Sequence, residues 1–316
     1  KQTVDNMLKC HKQFNNPVAY AGGAWKWYGY SPFNKFSINT SRLHLDLCDK
    51  YKVDKIMVTA WGDNGAECSP FAILPSLLYY GERCYTNNDN EQILSHRCTQ
   101  CFGIDLESFY TLDLPGDPPD QKAAENKPVA ISKTLLFNDP LLGIIDRHID
   151  PQAFKQYYHK SADKLELAAK NANDLSYIFK NLAVLCRVLE RKCDISIRAR
   201  NAYLKKDKDT LLNMAEKDLP ELINLVDAFI LRLREQWYKD NKTFGFDVQE
   251  IRLGGLKERL NSASLRFKNY YNGNIDFIEE FEQPLLYADC RDENSDKSLL
   301  HCGVGSYSSV ATTSVL

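Results

Sequence analysis

The chain has 316 residues, which allows about two domains at ~150 residues each. Its 44% hydrophobic and 26% charged residues are those of an ordinary globular protein, and a formal net charge of −2 gives no global pull toward nucleic acid or an anionic membrane. No stretch approaches the ~18 consecutive apolar residues that a membrane-spanning helix needs.

Residues Thr3 to Phe14 read as a helix, broken by Asn15, Asn16 and Pro17. The first residue is Lys1 and the opening run already looks like mid-domain structure, so the chain is expected to be a fragment. Val18 to Ala21 is a short apolar strand ended by Gly22 and Gly23, and a polar, aromatic loop follows from Trp25 to Phe36. Ser37 to Tyr51 carries Ile38, Leu43, Leu45, Leu47 and Cys48 at roughly helical spacing. Lys55 to Thr59 is a compact strand, and Trp61 to Ser69 a glycine-containing loop. Ser69 and Pro70 make an N-cap and first helical position for a helix running to about Tyr85. This alternation is the grammar of consecutive βα units on a parallel sheet. Both loops follow the C-terminal ends of their strands, the face on which a βα barrel builds its active site.

Residues Asp113 to Lys127, with Pro115, Gly116, Pro118 and Pro119, read as a linker or surface loop. From Asp150 long helical patterns take over. Ala162 to Tyr203 holds Leu165, Leu175, Phe179, Leu182, Leu185 and Leu189 at three- and four-residue steps. A second run spans Asp209 to Tyr238, with Pro220 expected to break or kink it. A third covers Val248 to Tyr271 and is stopped by Asn272 and Gly273. The fold class expected is therefore α/β plus all-α, with an antiparallel helical bundle at the C-terminal side. The division is 1–112 for the βα part, 113–149 for a linker or junction, 150–290 for the bundle and 291–316 for a disordered, Ser-rich tail.

Ten cysteines without framework spacing predict reduced thiols and favour an intracellular setting. Cys98 and Cys101, with His96 beside them, look like half a zinc site, but no second pair completes four ligands, so they are read as helix residues and no metal is expected. His148 and His159 lack a partner pattern and are expected at the surface.

The most informative segment is Thr59-Ala60-Trp61-Gly62-Asp63-Asn64-Gly65-Ala66-Glu67-Cys68-Ser69. An indole face packs well on the apolar face of a sugar ring, and Asp63 and Glu67 are acceptors suited to sugar hydroxyls. The two glycines let the backbone approach a ligand. The same residues would equally suit a turn with a core Trp and two solvated acids.

This segment resembles the final-strand signature W-G-D-N-x-x-E-C-S of the streptococcal-type subgroup of glycoside hydrolase family 20 β-N-acetylhexosaminidases. Ala21-Gly22-Gly23-Ala24-Trp25-Lys26-Trp27, followed by Gly29 and Pro32, is similar to that subgroup's seventh-strand loop. Leu136 to Gly143 resembles the junction to its C-terminal region, and Trp237 to Gly255, with Arg252-Leu253-Gly254-Gly255, a motif of its helical region. The four matches occur in order and span roughly Ala19 to Glu282.

The resemblance implies the last βα units of a (β/α)8 barrel followed by a helical bundle, and removal of terminal GlcNAc or GalNAc from glycans. It implies substrate assistance, in which the substrate's acetamido oxygen attacks the anomeric carbon while an enzyme Asp–Glu pair orients it and protonates the leaving oxygen. That pair follows the fourth barrel strand in the family. The dipeptide Asp292-Glu293 lies in the tail and is a poor candidate, so no catalytic residue is assigned to this chain. The substrate-holding residues implied are Trp25, Trp27, Trp61, Asp63 and Glu67. Related enzymes carry W-x-E where this chain has Trp61-Gly62-Asp63, which leaves open whether Asp63 or Glu67 makes the contact. Only one of Trp25 and Trp27 can face inward if the backbone is extended there. Tyr20 is read as strand core, and Trp237 as a helix anchor. No cofactor is implied. The expected partners are a glycan with a terminal N-acetylhexosamine and a second copy in a homodimer, with no nucleic acid and no membrane. The glycines Gly254 and Gly255 break helix propensity and suggest a close contact there. The alternative is a non-catalytic helical interaction protein with a barrel remnant.

Overall fold

The computed structural model describes residues 2–14, 16–63, 65–117 and 131–285. The tail 291–316, with Asp292-Glu293, and residues 118–130 of the expected linker lie outside these.

Helix α1 (Gln2–His11) leads through one 3₁₀ turn to strand β1 (Ala19–Gly23), helix α2 (Asn34–Lys50), strand β2 (Lys55–Thr59) and helix α3 (Leu74–Thr86). The strands pair in parallel, from Ala19 opposite Lys55 to Gly23 opposite Thr59, with α2 as the crossover. Side-chain alternation splits the sheet into two faces. Tyr20, Ile56 and Val58 pack beneath α2 and α3 against Leu45, Cys48, Tyr79 and Tyr80. On the other face Ala19 and Ala21 are exposed and Met57 is 58% exposed. Ser69 caps the turn before α3 by accepting from Phe71 N at 3.2 Å.

Two further helices, α4 (Glu91–Phe102) and α5 (Leu106–Tyr110), fill the stretch that carries the Cys pair. The Asn90 side chain accepts from Gln92 N and Ile93 N to start α4, and Gly103 ends it at φ +69°. Cys98 is fully buried in the helix–sheet core, whereas Cys101 is exposed.

The start of the expected linker is not at the surface. Asp113 is buried, accepting from Lys35 N at 2.8 Å and Asn34 Nδ2 at 3.2 Å, so it caps the beginning of α2 from 78 residues away. Asn34 also donates to Ala72 O and accepts from Ser76 Oγ, tying α2, the turn before α3 and residues 111–117 together. Proline, glycine and aspartate suit a tight buried turn as well as an exposed loop, because both need restricted dihedrals and local acceptors. The next described segment opens with α6 (Ile131–Leu136), all of whose residues are buried. It continues through Phe137, Leu141, Ile144 and Ile145 in the main core, which also takes in Tyr30, Cys68 and Ala72. The loops of the βα part thus join the core of the helical part, while the sheet and its helices pack in two smaller clusters of their own.

The expected run 162–203 is three helices, α7 (Pro151–Ala169), α8 (Ser176–Lys192) and α9 (Ile195–Leu204). The first break holds Asn173 at φ +46°, which Asn tolerates. The second centres on Asp194, buried where Lys155 and Arg198 both reach its carboxylate. Asp150 caps α7 through Gln152 N and Ala153 N, with Pro151 in the first turn. Helix α10 (Lys208–Asn213) runs through a π-turn (Met214–Asp218) into α11 (Leu219–Asp240). Pro220 has no N–H to donate, and the turn ahead of it widens, so Leu219 N reaches Met214 O; the rod is not broken there. Helix α12 (Asp247–Tyr271) ends before Asn272 and Gly273, and α13 (Glu279–Glu282) closes the described chain. Gly254 makes no close contact: a Cβ added there would meet nothing within 4 Å. His148 is buried, contrary to the surface position expected, because residues 144–149 sink into the core; His159 is exposed.

Candidate functional site

The two loops that follow β1 and β2 leave the sheet side by side. Ala24 N donates to Thr59 O at 2.8 Å and Thr59 Oγ1 to Gly22 O at 3.0 Å, so ladder contacts continue to the mouths of both loops. Strand β1 ends at Gly23, and beyond it Trp25 and Trp27 come together on the same side with ring centroids 4.4 Å apart. Their indoles lie over Gly23, where a Cβ would come within 2.7 Å of Trp27 and 3.1 Å of Trp25. The alternation expected for an extended segment does not apply, and the glycine makes room for both rings. Phe36 packs edge-on against Trp25 at 4.8 Å, and Trp25 N donates to Ser37 Oγ, which fixes this aromatic wall to the start of α2.

On the second loop Trp61 is 57% exposed, and Gly62 and Asp63 are exposed with it. Among the described residues no hydrogen bond or ion pair holds the Trp61 or Asp63 side chain. Glu67 is different. It turns inward, is 2% exposed, and its carboxylate touches Lys133 Nζ of α6 and, at 3.2 Å, Arg252 Nη1 of α12. Burial pushes the Glu67 carboxyl up and the Lys133 ammonium down from their ordinary values, and the opposite charges beside each work against that. The loop backbone is gripped as well: Gln249 Nε2 donates to Gly65 O at 3.0 Å and Gln236 Nε2 to Glu67 O at 3.1 Å. Gly65 sits at φ +121°. Lys26, buried between the loops, directs its ammonium to Cys68 O at 3.4 Å.

The structure therefore brings Trp25 and Trp27 together, leaves Trp61 and Asp63 open on the neighbouring loop, and takes Glu67 into the interior. Sequence reasoning gave no role to Lys26, Lys133, Gln236, Gln249 or Arg252. Lys26, Gln249 and Arg252 stand inside the motifs quoted above, which was the available signal; Lys133 and Gln236 had none. Tyr20 is half-buried and its hydroxyl meets His44 Nδ1 at 2.8 Å. Trp237 is buried, donating to Lys242 O at 2.8 Å and packing on Phe246. A cleft of about 700 Å³ runs along β1 between α1 and α2, lined by Met7, His11, Phe14, Tyr20 and His44, and reaches Gly23 and Trp25. Among the described residues no group of three or more His, Cys, Asp or Glu side chains is arranged to hold a metal.

Residues 107–301, more than half of the chain, match the family model described as Glycoside Hydrolase 20C C-terminal domain. No curated protein matches the chain. The matched residues include Lys133, Gln236, Gln249 and Arg252, whereas the two aromatic loops precede them.

Proposed function

Since the chain belongs to the Glycoside Hydrolase 20C family through its C-terminal domain, we propose that its protein is an exo-β-N-acetylhexosaminidase that removes terminal GlcNAc or GalNAc by substrate-assisted hydrolysis with retention. In this reading β1–α2–β2–α3 are the last two βα units of a (β/α)8 barrel. The exposed face of Ala19, Ala21 and Met57 is then barrel interior, and the cleft along β1 is where a preceding unit packs. The observation that carries the proposal is the convergence of the two loops at the C-terminal ends of paired parallel strands.

Trp25, Trp27 and Trp61 supply apolar ring faces for the sugar, and Asp63 is the acceptor for its hydroxyls. Between Asp63 and Glu67 this reading takes Asp63, a choice supported by the engagement of the Glu67 carboxylate with Lys133 and Arg252. The general acid pair belongs to another part of the polypeptide. Expected results are release of p-nitrophenol from p-nitrophenyl N-acetyl-β-glucosaminide by the complete polypeptide and none by residues 1–316 alone, since a positioned general acid contributes ~10²–10⁴-fold. Turnover by residues 1–316 would overturn the assignment of the acid. A complete polypeptide inert on both the gluco and galacto substrates would overturn the enzyme reading and favour a helical interaction protein.

A further inference from the structure

We propose that Arg252 and Gln249 of α12, with Lys133 of α6 and Gln236 of α11, are positioning residues for the sugar-facing loop: the helical region holds its base, residues 65–67, from behind, and so places Trp61 to Asp63. The contact with sugar rests on the reading above; the positioning does not.

The argument starts from what holds the loop. Its tip, Trp61 to Asp63, has no side-chain anchor among the described residues, so its shape is dictated at its base. There, four donors from three helices meet three acceptor groups, the Glu67 carboxylate and the carbonyls of Gly65 and Glu67. The donors stand 66 to 185 residues along the chain from the groups they bind. The fit leaves no spare volume. A Cβ on Gly65 would lie 2.4 Å from Arg252 Nη1, 2.9 Å from Gln249 Nε2 and 3.0 Å from Glu67 Oε1. Ala66 next to it is also held at positive φ, +51°.

The chemistry of the anchor also favours geometry over bulk stability. Two cations and one carboxylate are buried together, and the desolvation of such groups is repaid only in part by their attraction. An apolar plug of similar volume would hold the two parts together at lower cost. What an ionic, multiply bonded anchor adds is direction: a carboxylate between a guanidinium and an ammonium, with the carbonyls of Gly65 and Glu67 also bonded, fixes the orientation of the loop base. The helices that supply it share the main core with the strands' own loops through Tyr30 and Cys68, so the anchor rests on a rigid body.

The test labels the 316-residue chain with 5-fluorotryptophan and follows its ¹⁹F resonances. Trp61 is assigned with Trp61→Phe and Trp237→Phe assigns the helical reference. Arg252→Met and Gln249→Ala are expected to shift or broaden the Trp61 resonance while that of Trp237 stays in place; Arg252→Lys is expected to recover the parent position at least in part. Gln249→Ala removes only a neutral hydrogen bond, so it answers the question even if Arg252→Met fails to fold. An unmoved Trp61 resonance in folded Gln249→Ala and Arg252→Met overturns the positioning role, as does equal movement of Trp61 and Trp237. In the complete polypeptide the same variants are expected to weaken N-acetylglucosamine binding by on the order of tenfold or more, as small misplacements of a binding group do. Movement of Trp61 with no change in sugar affinity would leave the anchor standing and sink the sugar site.

Discussion

Two glycines in one chain should respond in opposite directions to the same added methyl group. At Gly65, φ of +121° is a region that costs an L-residue ~1–3 kcal/mol. The new Cβ would also sit 2.4 Å from Arg252 Nη1, so the guanidinium must shift from its place beside the Glu67 carboxylate. Removing one partner of a buried ion pair outright costs ~3–5 kcal/mol. Lys133 stays on Glu67 and the guanidinium is displaced, not deleted, so the lower end applies and the sum for Gly65→Ala is about 4 kcal/mol. At Gly254 the helix is regular and the space open, so Gly254→Ala should stabilise by ~0.5–1 kcal/mol through helix propensity and a less flexible unfolded chain. Urea unfolding followed by circular dichroism reads both midpoints against the parent. The reasoning is refuted if Gly65→Ala lies within about 1 kcal/mol of the parent, the ordinary range for a surface change. It is equally refuted if Gly254→Ala is the less stable of the two.

Two more outcomes are expected. Burial, with the neighbouring Asp117 charge, pushes Asp113 from 3.8 up to about 8, and burial pushes Asp117 up to about 6. The folded state then holds protons that the unfolded state has released, so these two groups make stability fall as pH rises from about 4 to about 8; Asp117→Asn should flatten that slope, and a slope unchanged by the substitution would show the carboxylates are not its source. Trp61→Ala should leave the unfolding midpoint close to the parent's, within about 0.5 kcal/mol, while Trp237→Ala costs about 3–5 kcal/mol because its indole is packed and hydrogen-bonded; equal losses would contradict the exposure of Trp61.

How much of this was legible depended on the range of the interactions. Strand β2 and the end of α12 at Asn272 and Gly273 are set by local pattern, and the sequence reading located both. Helix α4 carries an Asn90 cap and a Gly103 stop of the same kind; its cysteines are read as helix residues, but its bounds went undrawn because its apolar stripe is weak around them. The break at Asn173 was masked by leucines that keep helical spacing on both sides of it. The burial of Asp113 and Glu67 was not legible at all. Each is an acid in a polar, glycine- or proline-containing stretch, and what makes it interior is a partner far along the chain: Lys35 N for the first, Arg252 for the second. The side-by-side placement of Trp25 and Trp27 depended on a backbone that leaves the strand at Gly23, which a period-two pattern cannot anticipate.

The π-turn ahead of Pro220 bears on which insertions and deletions this protein can accept. A single π-turn holds one residue more than the α-turn it replaces, with the segments on either side kept in place. Loss of one residue among 214–218 would therefore collapse it to an ordinary turn and leave Leu222, Val226, Phe229 and Leu233 facing the core as before. The same loss in the middle of α12 has no such slack to take up. It would swing every later side chain by about 100° around the axis and carry Leu260, Ala263 and Phe267 out of the interior. Length variation among relatives of this chain should accordingly concentrate at the π-turn and avoid α12.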